Sequence, residues 1–225
     1  MFSSSHPPET TTNHSNSPLR RLAGPSLSSA SLTLIPLSPT YSPSSSRTTY
    51  TDPNGVQRTW EHAERPTRPK DSDIDGVGIL ALLRKPTTTE IILQKQYRPP
   101  LDKICIEIPA GLVDAGETAE EAAVRELREE TGYVGVASET SMVMFNDPGF
   151  CNTNLRMVHV EIDMELEENK NLKPQLEDSE FIEVFTVEMG KLWEECKRLE
   201  KEGYAIDARV GNLAEGIAVA QKMRL

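Results

Sequence analysis

The sequence predicts an α/β protein: an α/β/α sandwich with a β-hairpin ahead of it. Three observations carry this. Strand-length apolar runs recur between residues 76 and 186, interrupted by one strongly signalled helix, and two further helical patterns follow them. The first 46 residues hold fourteen Ser and seven Pro with almost no apolar periodicity. Such a segment buries too little surface to offset the entropy of ordering it, so residues 1–46 are expected to form a disordered tail. Residues 47–225 then make one folded domain of about 175 residues, enough for a single core.

Taken in order, residues 47–51, the turn Asp52-Pro53-Asn54-Gly55 and residues 56–60 read as a β-hairpin, extending to about residue 62. Residues 76–83 and 90–97 are strand candidates on either side of the polar break 84–89. A short strand at 104–108 runs straight into Pro109-Ala110-Gly111. The next helix is marked by its ends: Thr118 and Glu121 have capping-box spacing, and Gly132 suits the position just past the last turn. Residues 136–145 and 155–166 are expected as strands, followed by an acidic loop to about Glu180 and a strand at 181–186. Residues 187–201 and 208–223 have helical periodicity, the second with Val210, Leu213, Ala214, Ile217 and Ala218 on one side. Strands with helices available to both faces give the sandwich.

Charge narrows the classes of partner. The 225-residue chain has a formal net charge of −11, and residues 1–49 contribute Glu9 against Arg20, Arg21 and Arg47, so the domain carries the excess of acid. It should repel nucleic acid and anionic membrane, and a phosphorylated substrate would need divalent cations to bridge like charges. Cys105, Cys151 and Cys196 are far apart and odd in number, which suits a reducing compartment rather than a disulfide framework or zinc site. No apolar run approaches membrane-spanning length. The tail is Ser-rich, acid-poor and carries Arg20-Arg21, as mitochondrial targeting segments do, but Pro7, Pro8, Pro18 and Pro25 interrupt any amphipathic helix. The expected location is the cytoplasm, with the nucleus as an extension and mitochondrial targeting as the minority alternative.

The densest chemistry lies in Gly111–Tyr133, where Gly111, Glu117, Arg125, Glu126, Leu127, Glu129, Glu130 and Gly132 recur at fixed spacing. Glu126 and Glu130 are at i and i+4 and Glu129 at i+3, so the three carboxylates share one helix face. Nothing structural requires that repulsion, and hard oxygen ligands clustered this way suit Mg²⁺. The bland alternative is a solvated acidic face. Gly111 and Gly116 bracket a loop whose backbone must come close to metal or phosphate, or take a positive φ.

This string resembles the Nudix box, the signature of metal-dependent hydrolases that cleave nucleoside diphosphates linked to another group. The resemblance implies the Nudix fold, an α/β/α sandwich around a mixed β-sheet. It implies Glu126 and Glu130 as principal metal ligands, Glu129 close by, and the Ala110 carbonyl as a further ligand. Arg125 would hold the catalytic carboxylates in position. The metal is Mg²⁺, with Mn²⁺ as the alternative.

Beyond the box, residues 48–209 resemble the eukaryotic ADP-ribose and ADP-sugar pyrophosphatases. The matching stretches are TTYxDPxGxxRTWE at 48–61, KQYRPP at 95–100, EIPAGL at 107–112, DPG at 147–149, EFIEV at 180–184 and DARV at 207–210. That resemblance implies Trp60 stacking on adenine, Glu61 bonding to the base, and Arg65 and Arg98 reaching the phosphates or terminal ribose. It implies Glu180 as general base on the attacking water. Each has a plain alternative: Trp60 as hairpin packing, the arginines as surface groups, Glu180 as one of many loop acids. Relatives carry a second Trp shortly before the Thr-Thr-Tyr, sandwiching adenine across a dimer interface. Here that stretch is Tyr41–Ser46 without Trp, so either Tyr41 substitutes or the sandwich is half open.

The resemblance therefore implies Mg-dependent hydrolysis of ADP-ribose, and of other ADP-sugars, to AMP and a sugar phosphate, by a homodimer that binds neither nucleic acid nor membrane. The alternatives are a Nudix hydrolase of another nucleoside diphosphate derivative, such as an oxidised nucleotide or dinucleotide cofactor, and a non-catalytic module that binds ADP-ribose.

Overall fold

In a computed structural model of the chain, residues 44–178 and 180–224 are described. The expected tail, apart from Ser44–Ser46, and the proposed stacking residue Tyr41 lie outside them. The hairpin pairs β1 (Ser44–Thr51) with β2 (Gln57–Glu64) over eight rungs. Its turn closes as the sequence requires: Asp52 Oδ1 accepts from the amides of Asn54 and Val56 at 2.9 Å each, and Gly55 takes φ +80°.

The main sheet is mixed, with nine strands. Its axis is β3 (Gly76–Arg84), parallel over eight rungs to β9 (Asn154–Ile162). Antiparallel β4 (Thr89–Arg98) pairs with β3 only over Leu82–Arg84 before leaving it to pair with β5 (Lys103–Glu107) and β10 (Ile182–Glu188). The edge of β3 so released is taken by the Pro109 carbonyl, which accepts from Ile79 N at 2.8 Å, and by the three-residue β6 (Ala110–Leu112). That exchange of partners lays the Ala110-Gly111 backbone against the middle of the sheet.

Alternation along β3 divides the interior in two. Val77, Ile79, Ala81 and Leu83 face helix α1 (Ala119–Thr131), together with Ile92, Val158, Val160 and Ile162. Leu80 and Leu82 face the opposite way, into a core built from Ile91, Leu93, Ile106 and Ile108 with α3 (Leu192–Lys201) and α4 (Ala208–Met223). The α/β/α layering is as expected.

Several boundaries differ. The strand expected at 136–145 is two pieces, β7 (Val136–Thr140), with a register shift between Ala137 and Glu139, and β8 (Met144–Phe145). The strand expected to end near 166 stops at Ile162, and a short helix α2 (Glu167–Lys170) follows. Val187 and Glu188 finish β10 instead of starting α3, because they pair with Ile91 and Glu90 of β4. The two-residue β11 (Ala205–Ile206), which pairs with β5, had no sequence signal. No helix among the described residues is long and apolar enough to cross a membrane. All three cysteines are free.

Candidate active site

Helix α1 begins on the predicted capping box: Thr118 Oγ1 accepts from Glu121 N at 3.2 Å, and Glu121 Oε2 accepts from Thr118 N at 2.9 Å. It ends at Gly132, whose φ is +77°. Ala122, Ala123 and Leu127 are fully buried against the sheet. Ala122, Glu126 and Glu130 follow one another at i+4, so the same stripe that buries the alanine carries both carboxylates inward.

Glu130 is only 4% exposed. Its Oε2 accepts from Ala110 N at 2.9 Å and its Oε1 from Gln94 Nε2 at 3.3 Å. Loss of water pushes its pKa up to about 8 against those two hydrogen bonds, and the charges of Glu126 and Glu180 push the same way. Glu126 is also raised, chiefly by desolvation; Arg125 opposes this, while Glu129 and Glu180 add to it.

Arg125 organises the remaining acids. Its Nε and Nη2 donate to the two oxygens of Glu117 at 2.7 and 2.9 Å, and its Nη1 donates to Glu126 at 2.9 Å and Glu129 at 3.1 Å. Nη2 also donates to the Leu112 carbonyl at 3.0 Å, tying the helix to β6. Glu117 is held below the usual carboxylate range mainly by that guanidinium.

The two loop glycines have different reasons. Gly116 takes φ +81°. Gly111 has no such φ, but a Cβ there would fall 1.9–2.4 Å from the Glu126 carboxyl group. The backbone is bare where the carboxylate lies against it.

The charge of Glu180 adds to the upward push on both Glu126 and Glu130. The loop that carries it is pinned to the body. Buried Asn169 accepts from Val134 N at 2.7 Å and donates to the carbonyls of Val134 and Asp163, and Gln175 N donates to the Glu129 carbonyl at 2.7 Å.

The expected substrate residues do not gather around this cluster in the same way. Trp60 is 52% exposed on β2, its indole N–H donating to the Gly149 carbonyl at 3.0 Å. Glu61 points to the other face of the hairpin, as strand alternation requires, and pairs with Arg47 at 2.6 Å. Arg65 is exposed just past β2, with no ion pair among the described residues. Arg98 is not a free arginine: it grips both oxygens of buried Glu107 at 2.6 Å each. Glu107 in turn lies 3.8 Å from Arg209, itself paired with Asp207 at the start of α4. An open cleft of about 770 Å³ runs outside α1, lined by Val124, Arg125, Arg128, Glu129, Val136 and Gln175 among others; Trp60, Arg65 and Arg98 are not in its lining.

Sequence reasoning missed Gln94 and the role of Glu107. A polar residue inside the apolar run of β4 was the available signal for the first. Nothing in the sequence announces the cross-strand partner of the second.

The profile of the NUDIX domain matches residues 74–209, which take in the sheet, α1 and the carboxylate cluster. The chain belongs to the Nudix family. It is 52% identical over 180 residues to the ADP-ribose pyrophosphatase of Saccharomyces cerevisiae, covering 78% of this chain and 77% of that protein. It is 39% identical over 175 residues to the ADP-sugar pyrophosphatase of Mus musculus, covering 77% and 79%. The ADP-ribose pyrophosphatase of Bacillus subtilis is 35% identical over 132 residues, covering 59% and 67%.

Nudix hydrolases of this kind generally use a divalent metal, and the donors here fit one. Among the described residues no three acidic, Cys or His side chains converge on one point, and Arg125 Nη1 bonds to both Glu126 and Glu129. The donor set nevertheless has the right chemistry. Glu117, Glu126 and Glu129 bond to a single guanidinium, and the two more buried carboxylates, Glu126 and Glu130, are raised toward neutrality chiefly by lack of water. A hard divalent cation supplies the charge this Nudix cluster is short of.

Proposed function

We propose that this Nudix hydrolase cleaves the pyrophosphate of ADP-ribose, and of ADP-sugars more broadly, with Mg²⁺ as its cation and Mn²⁺ as a substitute. The observation that carries the reading is the pair Glu126 and Glu130, desolvated on one helical stripe against the bare backbone of Ala110-Gly111. The substrate follows from the names and coverage of the yeast and mouse relatives.

In this reading Glu126 and Glu130, with Glu129 and the Ala110 carbonyl, hold the cation. Bound there, the cation would offset the charge of the diphosphate and lower the pKa of the attacking water. Arg125 is a positioning residue, sharing one nitrogen between Glu126 and Glu129 while its other two are anchored on Glu117. Glu180 takes the proton from water as its oxygen attacks phosphorus. The bridging P–O bond breaks, and AMP and ribose 5-phosphate leave. Trp60 presents an open indole face for adenine, and Arg65 an uncommitted guanidinium for phosphate or ribose. Arg98 reaches substrate only with its remaining nitrogen, since Glu107 occupies two. Glu61 contributes to the base only if it leaves Arg47.

Trp60 stands far more open than an adenine-stacking residue in a finished site, which supports a homodimer whose second chain closes over the hairpin. The other Trp does not supply that cover, since Trp193 lies on α3 with the Lys197 ammonium 5.6 Å from its ring. The lack of a second Trp shortly before Thr48 is the one sequence feature favouring a different nucleoside diphosphate derivative. Incubation with ADP-ribose, with and without Mg²⁺, separates these readings. AMP and ribose 5-phosphate formed only with metal are expected; binding without turnover would mean a non-catalytic module, and neither would mean another nucleotide.

A further inference from the structure

We propose that Gln94 is a positioning residue that orients the Glu130 carboxylate for the cation. This rests on the reading of Glu130 as a metal ligand. Strand β4 sends Ile91 and Leu93 into the core beneath α3 and α4, and Ile92 into the core beneath α1. Position 94 shares the face of Ile92 and is completely buried. An apolar side chain is what that environment calls for, and an amide there must find partners.

Gln94 finds one. Its Nε2 donates to Glu130 Oε1 at 3.3 Å, while the main-chain amide of Ala110 holds Glu130 Oε2 at 2.9 Å. Each carboxylate oxygen therefore has its own amide donor, one from the box loop and one from β4, and the plane of the carboxylate is fixed. With the Ala110 bond alone the group would be free to turn about it. Gln94 has no competing acid to serve: Glu107, its neighbour in register on β5, has both oxygens taken by Arg98. The second end of the amide, Oε1, is buried without a donor among the described residues. Being on the same carbon as Nε2, it lies beside Glu130 too, an acceptor for water entering with the cation. A residue kept only for packing would need neither end.

The test compares Gln94→Met, which keeps length and loses the amide, with Gln94→Asn, which keeps the amide and loses its reach. Mn²⁺ affinity is measured without substrate by electron paramagnetic resonance, alongside the melting temperature in chelator and steady-state kinetics. Both variants should lose about tenfold or more in Mn²⁺ affinity, as is typical when a residue supporting a metal ligand is removed. The metal-free melting temperature of Gln94→Met should change little, whereas Gln94→Asn, with a buried amide out of reach of its partner, should melt lower; in both, kcat should fall with KM for ADP-ribose steady. In the wild type, the side-chain amide resonances of Gln94 should shift as Mg²⁺ is added, a readout that does not depend on any variant folding. Mn²⁺ affinity within twofold of wild type in a folded variant, or resonances indifferent to Mg²⁺, would overturn the inference. Glu130→Gln serves as the reference: if it too binds Mn²⁺ normally, the ligand role of Glu130 fails, whereas normal binding by the Gln94 variants alone removes only Gln94.

Discussion

Replacing Gly111 with Ala should separate catalysis from folding. The new methyl carbon would stand 1.9 Å from the Glu126 carboxyl carbon and 2.0 and 2.4 Å from its oxygens. To regain ordinary contact at about 3.5 Å, the carboxylate must withdraw by roughly 1.5 Å. It is the far end of a flexible side chain, and the φ of Gly111 is outside the left-handed region, so the backbone need not move. Weakening the Arg125–Glu126 bond costs about 1–2 kcal/mol. The smaller entropy of the unfolded alanine chain returns about 0.4–1 kcal/mol. The melting temperature should therefore stay within about 4 °C of wild type. A ligand displaced by more than 1 Å costs on the order of 100-fold, about 2.7 kcal/mol of transition-state stabilisation. The control is Gly76→Ala, whose Cβ would meet the Gly111 carbonyl oxygen at 2.4 Å, a backbone atom that cannot step aside. That variant should lose both stability and activity. Thermal melts and AMP release read the two effects. Gly111→Ala with activity within about threefold of wild type, or as unstable as Gly76→Ala, would refute the reasoning.

Four other substitutions probe the same framework. Glu130 carries a folded pKa of about 8, above its unfolded value of about 4.3, so the folded state retains a proton that the unfolded state releases. In chelator, that contribution is complete below about pH 4 and disappears as pH rises through 8; urea titrations of the wild type should show stability falling over this window, and Glu130→Gln should flatten the fall while abolishing turnover. An equal slope in that variant would count against it. Arg98→Ala leaves Glu107 buried with only Arg209 nearby and should cost about 2 kcal/mol, below the 3–5 of a fully buried pair because Arg98 is partly exposed. Arg65→Ala should cost almost nothing, and equal melting temperatures would deny the structural role of Arg98. Trp60→Ala should raise KM for ADP-ribose more than it lowers kcat, since stacking on a base is mostly uniform binding; an unchanged KM would make Trp60 a packing residue.

What the sequence made legible was local. The capping box, the terminal Gly132 and the i, i+4 carboxylates of α1 depend on neighbours within two turns. Each has the geometry its spacing dictates. Glu61 and Trp60 stand on opposite faces of the hairpin, because adjacent strand residues point apart. Other features depended on long-range pairing. The β4 ladder kept Val187 and Glu188 from joining α3, and β6 exists because β4 abandons the edge of β3. Three consecutive residues have no periodicity from which to read such a strand. Arg98 resembled a substrate ligand until β5 brought a buried carboxylate to it across the sheet.

The pins at Asn169 and Gln175 also bear on the energetics of the proposed base. Beyond Gln175 the chain is taken up again by β10 at Ile182, and Glu180 lies within that span, its Oε2 accepting from Glu177 N at 3.0 Å. Five residues reach at most about 17 Å, so the carboxylate samples a small volume around the cluster and is never diluted into the solvent. A tether of this kind acts as a standing local concentration, of millimolar order for short linkers. Removing the Gln175 amide, as Gln175→Pro does, would lengthen the leash back to Asn169 without touching a catalytic atom, lowering the frequency with which Glu180 meets water while leaving its chemistry intact.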